Sequence, residues 1–335
     1  FDGSPSSADL ATTLGLPVLA VIDGSAMAQT FGALALGLAS YREGLPVYGI
    51  AANRVGSDYH ATLLQQSLPG NLQWLGALPR DPALALPERH LGLVSAGEVG
   101  GLDRTLDALA DAWARHASTA LPPKVGFAAP LQTPDDSIRG SLAGLRIAIA
   151  RDAAFCFLYP ANLDLLRAGG AEVRFFSPLA GDLLPECDAV WLPGGYPELH
   201  AGVLASARHF HGGLRALAGR SVPIHGECGG YMVLGRGIED ARGVHHSMAG
   251  LLRLETSFAK RSLHLGYRRA RLLADCPLGS AGMEIMGHEF HYASTLAAGD
   301  DPLVACRDAS GASIAEGGAR QGSISGTFFH AIDRG

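Results

Sequence analysis

Apolar runs alternate with amphipathic stretches along the first third of the chain. The run 16–23 is continuously apolar and ends in an acid, as buried parallel strands do. Similar strand patterns cover 47–55 and 72–79. Helical patterns lie between and around them, at 6–15, 28–41 and 99–117. Regular alternation of this kind predicts a parallel α/β sheet with helices on its faces.

The same alternation resumes after residue 145 and predicts a second, doubly wound α/β domain. Strand patterns occur at 145–150, at 172–176, around Val190 and around Ile224, and helical patterns occur at 162–168 and 203–218. Alternating segments at 250–275 and 283–307 predict antiparallel strands at one edge. The stretch between the two series is rich in Pro, Ser, Thr and Gly. We therefore predict domains at 1–118 and 142–335, joined by a linker at 119–141.

One cysteine stands at the apex of a glycine frame. Cys228 is flanked by Gly226 and Gly230, after a short apolar strand and before a helical stretch. This Gly-x-Cys-x-Gly frame is the cysteine counterpart of a nucleophile elbow, in which a sharp turn exposes the side chain. A helix beginning at the sulfur would favour the thiolate. The alternative is a glycine-rich turn without chemistry.

Two further segments complete a candidate acyl-transfer site. A Pro-Gly-Gly loop follows the Val190 strand, and its Gly195 N–H could form an oxyanion hole with that of Gly229. His330 follows an apolar run near the end of the chain. A cysteine nucleophile with a distant histidine base is the expected layout of such a site.

The ends of the first predicted strands carry polar residues. Asp23 ends one strand, and Asn53 and Arg54 lie near the end of the next. Ligands of parallel α/β sheets bind beyond the carboxyl ends of the strands, which makes these three residues binding candidates. For Asp23 the alternative is a helix N-cap.

The remaining histidines and cysteines carry weaker signals. His288 and His291 have His-x-x-His spacing, but a strand places them on opposite faces, so we predict no metal site. His200, His209 and His211 lie in a polar stretch and are predicted to be solvated, whereas His225 is predicted to pack within its strand. Four cysteines outside the elbow are interpreted as packing residues: Cys156, Cys187, Cys276 and Cys306.

Composition narrows the classes of partner. The 335 residues are 47% hydrophobic and 17% charged, which is ordinary for a globular protein, and the net charge of −6 argues against nucleic acid or an anionic membrane as a partner. The five cysteines form no C-x-x-C pair, and no signal peptide or membrane-spanning run is visible. These features predict a cytoplasmic protein. A homodimer is one assembly compatible with the sequence.

Three segments resemble the glutamine amidotransferase domain of the cobyrinic acid a,c-diamide synthases, whose aerobic-pathway members act on hydrogenobyrinic acid. They are Leu-Pro-Gly-Gly-Tyr-Pro-Glu, His-Gly-Glu-Cys-Gly-Gly-Tyr and Gly-His-Glu-Phe-His-Tyr, at 192–198, 225–231 and 287–292. The resemblance implies a class I glutamine amidotransferase fold after part of a P-loop-type, dethiobiotin-synthetase-like domain. It also implies a carbon–nitrogen ligase of cobalamin biosynthesis. Such an enzyme uses MgATP and L-glutamine to amidate the a and c acetates of a corrinoid polycarboxylate.

The resemblance also implies roles for single residues. Asn53 would contact adenine, and Arg89 and His90 would lie near the acceptor or the phosphates, although a solvated loop is the alternative there. Glu289 and Tyr292 would line the glutamine pocket or support His330. The usual third member of the triad is absent after His330, because residue 332 is Ile. The family tolerates this departure, so the expectation is a dyad of Cys228 and His330, with Asp333 as a weak alternative.

The first residues, Phe1-Asp2-Gly3, match the end of a family segment that follows the nucleotide-binding half-domain. We therefore expect a phosphate-binding loop upstream of Phe1, because no segment of this chain fits that motif. Three alternatives stay open. They are a related cobyric acid synthase, a nickel-sirohydrochlorin a,c-diamide synthase, and a glutaminase or corrinoid-binding fragment without synthetase activity.

Overall fold

The computed structural model describes most of the chain as two compact units, Phe1–Ala129 and Pro130–Gly335. The described residues are 6–87, 94, 96, 99–117, 121–126 and 139–334. Among them, no helix is long and apolar enough to cross a membrane. The domain bounds that we predicted from composition stay a prediction.

The first unit is built on a three-stranded parallel sheet in the order β1-β2-β3. Its strands are β1 (Val18–Asp23), β2 (Val47–Val55) and β3 (Trp74–Pro79). Its helices are α1 (Ser7–Leu14), α2 (Gln29–Ser40), α3 (Asp58–Ser67) and α4 (Leu102–His116). Helix α1 begins where the sequence predicts, because Ser6 and Asp9 form a reciprocal capping box. The buried side chains of Phe31, Ile50 and Leu64 form the centre of the core.

The second unit contains a six-stranded sheet in the order β15-β16-β7-β6-β4-β5, parallel except for β15. Its strands are β4 (Arg146–Ala150), β5 (Glu172–Phe176), β6 (Ala189–Leu192), β7 (Ile224–Glu227), β15 (Ala319–Gln321) and β16 (Ile324–Thr327). The accompanying helices are α5 (Pro160–Ala168), α6 (Ala201–Ser206), α7 (Arg208–Gly219) and α8 (Gly229–Leu234). The predicted α/β fold class is confirmed.

Two smaller sheets extend this unit. An antiparallel sheet has the order β14-β11-β12-β17, with β11 (His264–Leu272), β12 (Glu284–His291), β14 (Val304–Asp308) and β17 (Phe329–Arg334). The other has the order β13-β10-β8-β9, with β8 (Gly237–Glu239), β9 (His245–Ser247), β10 (Glu255–Ser257) and β13 (Ser294–Ala297). Antiparallel strands thus form in the two segments where the alternating pattern predicted them. They belong to two separate sheets, however, and not to an edge of the six-stranded sheet, and β10 also pairs with β8 in parallel.

The junction between the six-stranded sheet and the sheet β14-β11-β12-β17 brings distant parts of the chain together. Strand β16 pairs with β7 in parallel, so that Thr327 is the partner of Glu227. After Phe328 the chain continues into β17, which pairs with β12 instead. Cys228, which follows β7, therefore lies beside the beginning of β17.

The interpretation of the 203–218 stretch was wrong in two respects. The predicted helix is two helices, α6 and α7, which meet at Ala207. His211 is not solvated but buried on the inner side of α7, where its Nε2 lies 2.8 Å from the carbonyl oxygen of Leu204. The adjacent Phe210 is buried as well, so the helix turns this stretch of the polar segment toward the core.

Candidate active site

Cys228 occupies a strained turn between β7 and α8. Its backbone has φ 51° and ψ −106°, a positive φ that non-glycine residues adopt only where the surrounding structure enforces it. Its N–H donates a 2.8 Å hydrogen bond to the carbonyl oxygen of Thr327 on the neighbouring strand. The sulfur thus stands at the carboxyl end of the central strands, as in a nucleophile elbow.

The glycines of the frame allow close contact between backbones. A Cβ on Gly226 would lie 2.7 Å from the carbonyl carbon and oxygen of Gly230. A Cβ on Gly230 would collide with the carbonyl oxygen of Leu192. The helix that follows Cys228 can therefore fold back over β7 and β6 only because these positions have no side chain.

His330 is held between a carboxylate and the cysteine. Its Nδ1 lies 2.8 Å from Oε1 of Glu227, and both residues are buried, with 4% and 6% of their surfaces exposed. Because Nδ1 is engaged by Glu227, Nε2 is the nitrogen left for the hydrogen bond between the side chains of His330 and Cys228. The three residues form a Cys–His–Glu constellation.

Opposing effects set the charge of this histidine. Burial lowers the pKa of His330, but its hydrogen bonds to Cys228 and Glu227 and their negative charges outweigh burial and raise that pKa to about 10. His330 is therefore an imidazolium at neutral pH. A hydrogen-bonding cation beside a cysteine stabilises the thiolate, which is the nucleophilic form.

The charged groups of this site also shift the pKa values of two neighbouring side chains, Tyr159 and His288. Burial, together with the charges of Glu227 and Cys228, raises the pKa of the Tyr159 hydroxyl. Burial and the charge of His330 lower the pKa of His288, whose ring is stacked on that of His330 with centroids 4.8 Å apart. At neutral pH, His288 is therefore a neutral ring against a charged one.

Backbone donors lie beside the sulfur. A Cβ on Gly229 would be 3.1 Å from the nitrogen of Gly195, so the two backbones are in close contact. Neither N–H donates to a protein acceptor within the described ranges. For Gly229 this follows from its place in the first turn of α8, where N–H groups lack intrahelical acceptors. The pair is free to donate to an oxygen of a bound molecule.

The other thiols have environments unlike that of Cys228. None of the five cysteines forms a disulfide. Burial raises the pKa of the thiols of Cys187 and Cys276, and it raises that of Cys306 to about 12. These three groups are neutral thiols at neutral pH and hence poor nucleophiles.

The sequence profile of the CobB/CobQ-like glutamine amidotransferase domain matches residues 146–334. The chain is 50% identical over 353 residues to a hydrogenobyrinate a,c-diamide synthase of Mesorhizobium japonicum, a match that covers 100% of this chain and 78% of that protein. It is 48% identical over 347 residues to the corresponding synthase of Agrobacterium fabrum, with the same two coverages, 100% and 78%. The chain belongs to the hydrogenobyrinate a,c-diamide synthase family.

A solved structure, PurLQS from Thermotoga maritima, is similar over 56% of this chain and 87% of that one, with 18% identity and a TM-score of 0.39. The family assignment rests on the sequence relatives and not on this similarity. The resemblance drawn from the three motifs is thus confirmed at the level of the hydrogenobyrinate a,c-diamide synthase family.

In the first unit of the chain, three of the predicted binding residues lie together. Asp23 and Asn53 are register partners at the ends of β1 and β2, and Arg54 lies 3.2 Å from the Asp23 carboxylate. Asp23 is not a helix N-cap, because α2 begins after Ala28. It accepts a hydrogen bond from the N–H of Ser25 instead. Arg89 and His90 lie outside the described residues.

Glu289 does not support His330. It lies on β12 opposite Phe329 of β17, and its side chain is on the other face of the sheet from the His288–His330 pair. There it binds Arg268 at 2.8 Å and His291 at 2.9 Å. The alternation of side chains along the strand, which separates His288 from His291, separates Glu289 from His330 as well. Tyr292 follows the end of β12 and its ring packs 6.1 Å from that of Phe290.

His264 approaches the same network, and the donor atoms of His264, Glu289 and His291 all lie within 4.8 Å of one another. The rings of His264 and His291 are parallel, however, with planes 4° apart, so their nitrogen lone pairs do not converge on one point. Nδ1 of His291 lies 3.1 Å from the carbonyl oxygen of Ala293. Glu289 is thus engaged by Arg268 and by Nε2 of His291, and the two histidine rings stack.

Sequence reasoning missed Glu227. It predicted a dyad of Cys228 and His330, whereas Nδ1 of His330 lies 2.8 Å from Oε1 of Glu227. The weak alternative, Asp333, lies on β17 opposite Met286 of β12. The available signal was the acid immediately before the cysteine, in a strand that is otherwise apolar or small. An acid at a buried strand position needs a partner, and here that partner is the histidine.

Proposed function

We propose that this protein is a glutamine-dependent ligase that converts two carboxylates of hydrogenobyrinate, its a and c acetates, into amides during cobalamin biosynthesis. The observation that carries the proposal is the buried Cys228–His330–Glu227 constellation. The chain's family relationship to proteins named hydrogenobyrinate a,c-diamide synthase gives the acceptor.

In the first half-reaction, Cys228 releases ammonia from glutamine. The thiolate attacks the side-chain amide carbon, and the oxygen that becomes negative is bound by the N–H groups of Gly195 and Gly229. His330 Nε2–H gives its proton to the leaving nitrogen, so that ammonia departs and a γ-glutamyl thioester remains. His330 then takes a proton from water, which attacks the thioester and frees glutamate.

Glu227 serves this cycle through the histidine. Its carboxylate keeps Nδ1 protonated and thereby directs Nε2 toward the sulfur and the leaving nitrogen. Its charge also favours the imidazolium, the form that must donate the first proton. The triad is complete without an acid after His330.

In the second half-reaction, ammonia replaces an activated oxygen on the acceptor. ATP transfers its γ-phosphoryl group to a carboxylate, which gives an acyl phosphate and ADP. Ammonia then attacks the acyl carbon and phosphate leaves. The ammonia must stay unprotonated until then, because ammonium has no lone pair with which to attack.

The described part of the first unit offers groups that fit a nucleotide. The amide nitrogen of Asn53 donates to no described residue, and its Oδ1 accepts from the N–H of Arg54, which fixes the plane of the amide. We propose that Asn53 binds the adenine base. Asp23 and Arg54 would lie at the phosphate or acceptor side, with Mg²⁺ entering as the MgATP complex.

The test is amidation by the full-length protein supplied with MgATP, glutamine labelled with ¹⁵N in the amide, and hydrogenobyrinate. The expected product carries two ¹⁵N atoms, and one glutamate and one ADP appear for each amide formed. Cobyrinate and nickel-sirohydrochlorin serve as competing acceptors, and we expect the higher kcat/KM with hydrogenobyrinate.

Two results would redirect this proposal. Preference for nickel-sirohydrochlorin, or amidation at positions other than a and c, would favour one of the related synthases. Glutamate release without any amide product would favour a glutaminase.

We further propose a cytoplasmic location, since the substrates include ATP and none of the five cysteines forms a disulfide. The homodimer stays a prediction.

The charge of Glu227 gives a pH-dependent prediction. Glu227→Gln keeps the shape of the side chain but removes the negative charge that favours the His330 imidazolium. The pKa of His330 should therefore fall from about 10. Glutaminase activity requires the protonated ring, so its alkaline limb should move to lower pH, and kcat near neutral pH should fall roughly 10- to 100-fold.

The measurement is the rate of glutamate release between about pH 6 and about pH 10.5, a range that includes both the protonated and the neutral form of His330. Glu239→Gln is a matched control, because Glu239 ends a strand of another sheet in the same unit. An unchanged alkaline limb in the Glu227 variant would show that this carboxylate does not govern His330.

A further inference from the structure

The ring of His288 lies flat against that of His330. The ring centroids are 4.8 Å apart and the planes differ by 5°. The two residues are direct partners in the antiparallel pairing of β12 with β17. Gly287 makes this approach possible, since a Cβ there would collide with the carbonyl oxygen of His330. The stack is therefore fixed by strand register and by a missing side chain.

Three ionisable groups contact His330. Glu227 approaches from β7, Cys228 from the start of α8, and His288 from β12. Glu227 and Cys228 engage the nitrogens at the edge of the ring, whereas His288 lies against its face. Contacts at the edge oppose a tilt of the ring plane less directly than a contact with the face does. The stacked ring of His288 restricts that tilt.

The charges of the two rings suit the stack. His330 is positively charged at neutral pH, whereas burial and the charge of His330 keep His288 neutral by lowering its pKa. A cation against the face of a neutral aromatic ring is attracted to it, and the attraction strengthens when water is excluded. Two charged rings at the same distance would repel each other.

We propose that His288 is a positioning residue for glutamine hydrolysis, whose flat ring holds the His330 ring at the tilt that aims Nε2–H at the leaving nitrogen. This role rests on the proposed function of Cys228 and His330. It requires an aromatic face and no proton transfer by His288 itself.

The proposal predicts different kcat values for two apolar substitutions of His288. His288→Phe keeps a flat ring opposite His330 and should retain kcat for glutamate release within about two- to three-fold. His288→Leu removes the ring face and should lower kcat about ten-fold, the size of one stacking contact in a buried site. The KM for glutamine should stay unchanged in both, because the contact acts on the histidine and not on bound substrate.

The same sheet supplies a matched control on its opposite face. His264 is stacked on His291 with centroids 4.5 Å apart and planes 4° apart, a geometry close to that of the His288–His330 pair. His264→Leu removes an equivalent ring that does not touch His330. Its kcat should equal that of the unsubstituted protein. That result would exclude a general effect on kcat of losing any stacked histidine of this sheet.

The experiment measures kcat and KM for glutamate release by the full-length protein and the three variants, with thermal unfolding as a check on folding. His288→Gln is a second variant without an aromatic ring, in case the Leu variant does not fold, and the same loss is expected. Wild-type kcat in the Leu or Gln variant would overturn the role of His288. Equal loss in Phe and Leu variants would also overturn it, because the nitrogens and not the ring face would then matter. Lack of glutamate release by the unsubstituted protein would instead overturn the proposed function itself.

Discussion

Cys228→Ala should abolish glutamine-dependent amidation and leave ammonia-dependent amidation intact. The alanine removes the sulfur that forms the thioester, so glutamate release should fall by on the order of 10⁴-fold or more. Free ammonia does not need that sulfur, and in the proposed second half-reaction Cys228 takes no part. The measurement compares amide formation by the full-length protein with glutamine and with ammonium chloride at alkaline pH.

Cys276→Ala is the matched control for this substitution. Cys276 is a partly buried free thiol in the same unit, and burial raises its pKa, so it should be inert. Its variant should use glutamine and ammonia as well as the unsubstituted protein does. Glutaminase activity that survives in the Cys228 variant would mean that another group is the nucleophile.

His330→Asn should lower the rate of glutamate release by about 10²–10⁴-fold, the usual contribution of general acid–base catalysis. The asparagine amide can still donate a hydrogen bond to the Glu227 carboxylate, but it cannot hold a proton for the leaving nitrogen. The loss should appear in kcat, because the same proton transfer limits both the formation and the hydrolysis of the thioester. Ammonia-dependent amidation should again persist.

An unchanged rate in the His330 variant would place the base elsewhere, and His288 would be the first residue to test. The two histidines make opposite predictions for phenylalanine. His288→Phe should stay active because the ring face is kept, whereas His330→Phe should be as impaired as the asparagine variant. The comparison assigns proton transfer to one ring of the stacked pair.

Local sequence signals located the elbow and the sheets. Strands at 47–55 and 172–176 have the bounds that the sequence predicted. For 47–55 the reason is a central run of buried residues, which is typical of a strand inside a parallel sheet. The glycine frame around Cys228 was recognisable since its spacing reflects a local requirement, the close packing of Gly226 against Gly230. Features fixed by neighbours in the chain can be predicted from the chain.

Contacts between distant segments were harder to predict. The partnership of Glu227 with His330 joins residues 103 positions apart and depends on β16 pairing with β7 before the chain enters β17. No local pattern contains that register. His211 was misplaced for a related reason, since a polar residue on a helix is buried when the sheet covers that side and the carbonyl oxygen of Leu204 is available.

The alternation of faces along β12 predicted correctly that His288 and His291 point apart. The same rule separates Glu289 from His288, because neighbouring residues of a strand face opposite sides. Once β12 pairs with β17, it separates Glu289 from His330 as well. The prediction for Glu289 instead left two roles open, lining the glutamine pocket or supporting His330. The strand geometry was the better guide at this position, and it leaves the support of His330 to Glu227 and His288.

The most direct test of the account is peptide mapping after treatment with a diazo-ketone analogue of glutamine. Such a reagent needs an activated thiolate, an oxyanion site and a glutamine-shaped pocket at the same place. We expect one equivalent of label, all of it on Cys228, with protection by glutamine and loss of labelling in the His330→Asn variant. Label spread over the five cysteines, or absent from Cys228, would contradict the proposed site.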